Sequence, residues 1–356
     1  MIPIAKVVMG DAEKKAVMDV LDSGCLSNGE QTMKFEEEFA HEMGADYGVA
    51  VCNGTIALSL ALRALDVHGR VAVPALSFIA TAASVVNAGC EPVFVDINAE
   101  TFNIDAVDLK KKIDGWAMTV LPVALYGQSY DVDAVESCCR DSKIVQDLAQ
   151  AHGSEFDGKR LGAFGDISCY SFYATKDITT GGEGGMVTTN DKKVHGLMKM
   201  LVNQGQAEKY IHPVLGYNYR MTEMQAAIGR VQLSALNIIN RTRMRNADRL
   251  SAACESTSCI TPPFVDKRCK HTCHMFTCLT TKNRDALVEE FKKASIDARP
   301  VYPMPMYRQE SMKTFKSGPC KNAEMVCKRG FHLPVHQHLQ KNELGHICEV
   351  IRELGR

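Results

Sequence analysis

Ser168-Cys-Tyr-Ser-Phe-Tyr-Ala-Thr-Lys176-Asp-Ile-Thr-Thr-Gly-Gly-Glu-Gly-Gly185 joins an alternating, strand-like run to a glycine-rich loop, with one lysine between them. A surface lysine, with an ordinary pKa of about 10.4, is almost wholly protonated at neutral pH and makes a poor nucleophile. Burial at the end of a strand lowers that value, because a low-dielectric surrounding penalises the charged form. Gly181, Gly182, Gly184 and Gly185 carry no Cβ, so the backbone near Lys176 is free to approach a bulky planar group or to take positive φ. A bound cofactor accounts for both features. A surface lysine in a flexible hairpin accounts for this segment alone equally well, and the upstream sequence decides between them.

Upstream, Tyr47-Gly-Val-Ala-Val-Cys52 reads as a buried strand, Asn53-Gly54-Thr55 as a tight turn and Ile56 to Leu65 as a helix. Free first-turn N–H groups and the positive end of the helix dipole make such a turn a ready anion site, although an ordinary capped turn has the same pattern. The unit recurs. Strands are expected at Arg70 to Pro74, Pro92 to Asp96, Thr119 to Leu125 and Lys143 to Asp147, with helices at Ser77 to Ala88, Leu109 to Ile113 and Val132 to Asp141. Short apolar strands alternating with helices predict a mostly parallel sheet covered on both faces, with ligands at the carboxyl ends of its strands. Asn53-Gly54-Thr55, Phe78, Asp147 and Lys176 all fall at or near such ends.

The flanks complete the plan. Asp11 to Ser23 has helical spacing stopped by Gly24, and Met33 to Met43 has it again. Met221 to Glu255 reads as one long or two abutting helices, with Met224, Ile228, Val231, Ala235 and Ile238 on one stripe. A boundary is expected there, between a large domain 1–235 and a small α+β domain 236–356. The latter holds a strand near Cys273 to Thr280, a helix Arg284 to Ala294, a proline-rich loop from Arg299 to Pro305, a turn Leu333 to His338 and a last helix Lys341 to Leu354.

Composition narrows the class. With 46% hydrophobic and 23% charged residues and a formal net charge of −1, the 356-residue chain is ordinary for a soluble globular protein. It suggests neither nucleic acid nor membrane as a partner. No apolar run approaches the roughly 18 residues of a membrane span, and a cytoplasmic protein without a targeting peptide is expected. The 14 cysteines are scattered, many inside apolar runs, and are expected to be reduced core thiols. Cys269, Cys273 and Cys278 with His271 and His274 lack the tight C-x2-C pair usual in zinc sites, so no metal is expected.

With Asn53-Gly54-Thr55, Phe78, Asp147-Leu-Ala-Gln-Ala-His-Gly153, Ser171-Phe-Tyr-Ala-Thr-Lys176 and Gly182-Glu-Gly-Gly185 in place, the chain resembles the DegT-type sugar aminotransferases, pyridoxal-phosphate (PLP) enzymes. The resemblance runs nearly end to end, through Tyr126-Gly127-Gln128, Gly216-Tyr-Asn-Tyr-Arg-Met221, Gln225-Ala-Ala-Ile-Gly229 and Leu333-Pro-Val-His-Gln-His338. It implies the α/β aspartate-aminotransferase fold, with a mostly parallel central sheet in a large domain and a small α+β carboxyl-terminal domain. By that resemblance Lys176 joins the cofactor's aldehyde and shuttles a proton, while Asp147 faces the pyridine nitrogen so that the protonated ring acts as an electron sink. Gln150 would contact the ring face or O3′ and Phe78 the opposite face. The Gly54 and Thr55 amides, with the Thr55 side chain and Ser171, would hold the phosphate. Asn218 would reach the phosphate of a neighbouring subunit, which implies a homodimer with shared sites.

Taken singly, Asp147 could be a capping acid, Phe78 a core aromatic, Ser171 a sheet hydroxyl and Asn218 a turn former. Jointly these readings require several coincidences in the right order. Relatives that dehydrate sugars carry histidine at the lysine position, so Lys176 favours amino transfer, from glutamate to a nucleotide-linked keto-deoxysugar. Ile178 to Gly185 looks most like the perosamine and viosamine synthases, which act at C4 of a 4-keto-6-deoxysugar. A sugar dehydratase, a C3 aminotransferase and a non-catalytic PLP-holding regulatory module are the alternatives. Cys52-Asn53 replaces a more usual Ser-Ser pair and leaves open whether Asn53 helps to bind phosphate.

Overall fold

Seven strands, each short and almost wholly buried, carry the site: β1 Tyr47–Val51, β2 Arg70–Pro74, β3 Glu91–Val95, β4 Thr119–Val120, β5 Val145–Asp147, β6 Ile167–Ser171 and β7 Gly185–Thr189. The computed structural model describes residues 1–113, 118–139, 142–315 and 317–355. β2 pairs in parallel with β3 and β4, and β5 in parallel with β6. Parallel bridges Val120–Ile144 and Val123–Asp147 link the two groups. β7 runs antiparallel to both β6 and β1. The sheet order is therefore 3-2-4-5-6-7-1, parallel except for β7, as the strand and helix alternation predicts. Strands buried on both faces need apolar residues throughout, which is why Val71-Ala-Val73 and Val49-Ala-Val51 show no alternation. The Lys176 loop is the connection between neighbouring β6 and β7.

Two expected strands are shortened for identifiable reasons. The run from Thr119 keeps only two strand residues, because Pro122 has no N–H for a ladder; Leu125–Gly127 then forms a 3-10 turn with Tyr126 at φ 59°. The strand expected near Cys273 begins at Phe276, since Cys273 takes φ 56°. The helix expected from Ser77 starts at Ala80, and that from Val132 ends at Cys138, Asp141 lying outside the described residues. β7 and the helix Lys192–Val202 are not among the expected elements. The cap of that helix, Asp191, accepts from the Lys193 and Val194 N–H groups at 2.7 and 3.2 Å.

Glu223–Glu255 is one uninterrupted helix that passes through the expected boundary at 235/236. Its core-facing residues are Ala226, Leu233, Leu236 and Ile239. The stripe of Met224, Ile228, Val231, Ala235 and Ile238 lies along the flank, with Ile238 exposed. From Ala247 onward the helix instead packs into a separate core with Phe276, Phe291, Phe331, Ile347 and Ile351. The antiparallel strands Ile260–Thr261, Phe276–Thr280, Gly330–Leu333 and Arg299–Pro300 form the sheet of this second unit. We propose that the division between domains lies within this helix. No helix among the described residues is long and apolar enough to cross a membrane.

Candidate active site

β1 ends against the helix Gly54–Ala64, and the join is tight. A Cβ on Gly54 would stand 2.7 Å from the Ser171 Cβ, and one on Gly185 2.6 Å from the Asn53 backbone. Glycine at both positions lets the helix start sit directly on the ends of β6 and β7. The Asn53 side chain is occupied in capping: its Oδ1 accepts from the Ile56 N–H at 2.9 Å, and its carbonyl accepts from the Ala57 N–H. The N–H groups of Gly54 and Thr55 find no acceptor among the described residues. They face a cavity of about 670 Å³ with Ser171 beside them, a cradle for an anion at the positive end of the helix.

Asp147, the last residue of β5, enters the same cavity almost completely buried. Thr81 Oγ1 donates to its Oδ2 at 2.8 Å and the Ala149 N–H to its Oδ1 at 3.1 Å, while Ser77 Oγ lies 2.8 Å from Thr81 Oγ1. Burial nevertheless raises its pKa above the ordinary carboxylate value, against the Thr81 bond, the Ala149 N–H and the charge of Lys176. A cationic ring nitrogen opposite this carboxylate would replace the missing solvation. Gln150 is fixed from both ends, its Oε1 accepting from the Tyr126 N–H at 3.0 Å and its Nε2 donating to the Tyr302 hydroxyl at 3.4 Å. The left-handed Tyr126 and the glycine after it aim that N–H. A Cβ on Gly127, at φ 103°, would come within 2.7 Å of Thr272 Oγ1.

Phe172, directly after β6, packs with Phe35 and Phe39 at centroid distances of 5.2 and 5.1 Å. This anchors the turn in which the Lys176 N–H donates to the Tyr173 carbonyl at 2.9 Å. Burial pulls the Lys176 amine below its ordinary pKa, opposed by the carboxylates of Asp147 and Asp177, the direction a nucleophilic amine requires.

Of the eight residues singled out in the sequence, Gly54, Thr55, Phe78, Asp147, Gln150, Ser171 and Lys176 line this one cavity. Phe78 is 58% exposed at its mouth. Asn218 is exposed and lies outside it, in a strip bridged to Asn203. Thr81, Ser77 and Tyr302 also line the cavity and were not singled out, and His274, weighed only as a metal ligand, lines it too. Thr81 was within reach of inference, three residues after Phe78 and so one helical turn along; Tyr302 is brought in from a distant loop and carries no local signal. The Cys and His cluster is divided between uses: His274 turns toward Asp177, while Cys278 is buried in the second core. A groove of similar volume, about 690 Å³, between the first helices and Glu223–Glu255 is lined by charges already paired, such as Arg230 with Glu38 at 2.7 Å.

Residues 8–352 match the DegT/DnrJ/EryC1/StrS aminotransferase family. The chain belongs to that family. GDP-perosamine synthase of Escherichia coli O157:H7 is 36% identical to it over 99% of this chain and 98% of that protein. UDP-N-acetyl-3-dehydro-alpha-D-glucosamine 3-aminotransferase of Acidithiobacillus ferrooxidans is 33% identical over 94% and 91%. Among solved structures, S. venezuelae DesV superposes with a TM-score of 0.94 at 31% identity, covering 99% of each chain.

This DegT-family chain is accordingly a sugar aminotransferase that uses PLP. Its cavity fits the cofactor on three independent counts: free amides at the glycine-built helix start, a buried carboxylate stabilised by Thr81, and a lysine whose amine is biased toward neutrality. When bound, PLP supplies the electron sink that withdraws charge from the carbon being deprotonated.

Proposed function

We infer that this aminotransferase moves an amino group from glutamate to C4 of a nucleotide-linked 4-keto-6-deoxysugar. The observation that carries amino transfer is the meeting of Lys176 and Asp147 in one cavity with the Gly54-Thr55 cradle. In this assignment the Gly54 and Thr55 amides and the Ser171 hydroxyl would bind the phosphate, and Phe78 and Gln150 would contact the ring. Asp147 would stabilise a proton on the ring nitrogen. Lys176 would hold the cofactor's aldehyde carbon through its amine, with loss of water, and its Nζ would serve as the acid–base group that moves the proton in amino transfer.

Amination at C4 is supported by the likeness to GDP-perosamine synthase. Amination at C3 is the second reading, supported by the likeness to a 3-aminotransferase. Incubation with glutamate and, in parallel, nucleotide-linked 4-keto- and 3-keto-6-deoxysugars, read by mass spectrometry and product NMR, tests both. The C4 assignment predicts a 4-amino product, and amination of 3-keto substrates alone overturns it.

We further infer a homodimer in which Asn218 serves the partner's phosphate site. Its exposure, and that of Tyr210, Ile211 and Leu215 in the same strip, support a surface made to be covered.

A further inference from the structure

The residue after Lys176 is a fully buried carboxylate tied to three separate parts of the chain. Asp177 Oδ1 lies 3.2 Å from Arg243 Nε on the long helix and 3.0 Å from His274 Nδ1 at the approach to strand Phe276–Thr280. Its Oδ2 has no hydrogen-bond partner among the described residues and lies 3.9 Å from His152 Nδ1, two residues past Gln150. Arg243 is itself fixed to the small unit, donating to Gln337 Oε1 at 3.1 Å and to the carbonyls of Cys273 and His274 at 3.3 and 3.1 Å. A buried ion pair is seldom the most stabilising choice for a core, since an apolar set of the same volume often does as well. Its use is better sought in position.

Lys176 borders two cavities. Besides the site cavity it lines a second one of about 280 Å³, whose wall also includes Asp177, Arg243, Gln337, His338 and Lys6. Asp177 and Arg243 line that space beside the lysine turn.

We propose that Asp177 is a positioning residue for Lys176: it holds the lysine turn against the small unit through Arg243 and His274, and places a negative charge behind the amine. Two consequences differ in kind. The tie keeps Nζ in the site cavity. The charge opposes burial alongside Asp147, so that the amine is only partly shifted toward the neutral form; Arg243, His152 and His274 face the same Asp177 carboxylate.

The test uses the full chain without cofactor and does not rely on turnover. Capture of PLP joins Nζ to the aldehyde carbon with loss of water and requires a neutral amine. Its rate is followed from pH 6 to 10, and the product is fixed with borohydride and located by peptide mass. Asp177→Asn is expected to lower the pH of half-maximal capture by about one unit, as loss of a nearby opposite charge does. Arg243→Gln, which loosens the same tie but removes a positive charge, is expected to raise it or leave it unmoved. A role limited to packing would move both variants in one direction. That result, or an unmoved midpoint in Asp177→Asn, overturns the proposal; should Asp177→Asn fail to fold, a downward shift in Arg243→Gln does so alone. The inference rests on Lys176 being the PLP lysine, and failure of that assignment is distinct: the unmodified chain would then show no label on Lys176 at any pH.

Discussion

Thr81 Oγ1 donates a hydrogen bond of 2.8 Å to Asp147 Oδ2, and Ser77 stands 2.8 Å behind that hydroxyl. The helix Ala80–Asn87 thus supplies a polar strut to a carboxylate at the end of a neighbouring strand. Thr81 stabilises the ionised form of Asp147, so its loss must raise the carboxyl's pKa further. Thr81→Val is expected to slow amino transfer about tenfold, equivalent to about 1.4 kcal/mol and within the worth of a hydrogen bond to a charged group. The acid limb of the kcat/KM profile should move to higher pH, while Thr81→Ser should restore it. An unmoved limb in Thr81→Val would place Asp147 outside the reaction.

In the proposed assignment Lys176→Ala removes both the group that bonds to the cofactor's aldehyde and the base that carries the proton. Turnover is expected to vanish, and borohydride treatment in the presence of PLP should leave the former lysine peptide unlabelled. The remaining contacts belong to other residues, so the variant should still bind a preformed adduct of PLP and an aminosugar. Appreciable transfer by this variant would show that another base does the work.

Two histidines make acid stability a second readout of the buried cluster. Burial lowers the pKa of His152 to about 4 against the pull of Asp177, and lowers that of His271 to about 4 likewise. In the unfolded chain both return to about 6.5. Between those values the unfolded state binds the extra protons, so the stability conferred at neutral pH is lost as pH falls from about 6.5 toward 4. Each group contributes a slope of about 1.4 kcal/mol per pH unit at most. Urea unfolding at pH 7, 6 and 5 should show this fall, to which His332 and His336, also lowered by burial, add, and His271→Gln should lessen it. A flat profile in the parent chain would mean that these rings carry protons in the fold.

The sheet was legible because strands buried on both faces advertise themselves as apolar runs between turn residues. Gly54, Asp147 and Lys176 were legible because each sits at a strand end, where such a sheet places its ligands. Tyr302 and Arg243 were not: Tyr302 reaches the cavity from a distant loop, and Arg243 meets Asp177 from the long helix. Arg243 did leave a trace. Between Leu236 and Leu250 the buried side of the long helix carries Asn240, Arg243 and Asn246, polar residues at core spacing that only a polar partner could explain. Pro122 and Cys273 show the reverse case, where one residue's backbone requirement overrides an apolar run.

The assignment of Asn218 to the partner's site has a test that its position in the chain makes sharp. It stands in an exposed strip after the helix Lys192–Val202, outside the cavity that holds Gly54, Thr55 and Ser171. If the residue acts across a two-fold axis, each site of a symmetric dimer takes Lys176 from one chain and Asn218 from the other. Asn218→Asp places a negative charge against the phosphate and is expected to be inactive by itself, as is Lys176→Ala. In a mixed dimer of the two variants one site carries both defects and the other carries neither. Random exchange makes about half of the dimers mixed, each with one intact site of two, so activity should return to about a quarter of that of the unmodified enzyme. Subunit exchange is verified by native mass spectrometry. Exchange without recovery would show that Asn218 acts within its own chain or takes no part, and the shared site would be abandoned.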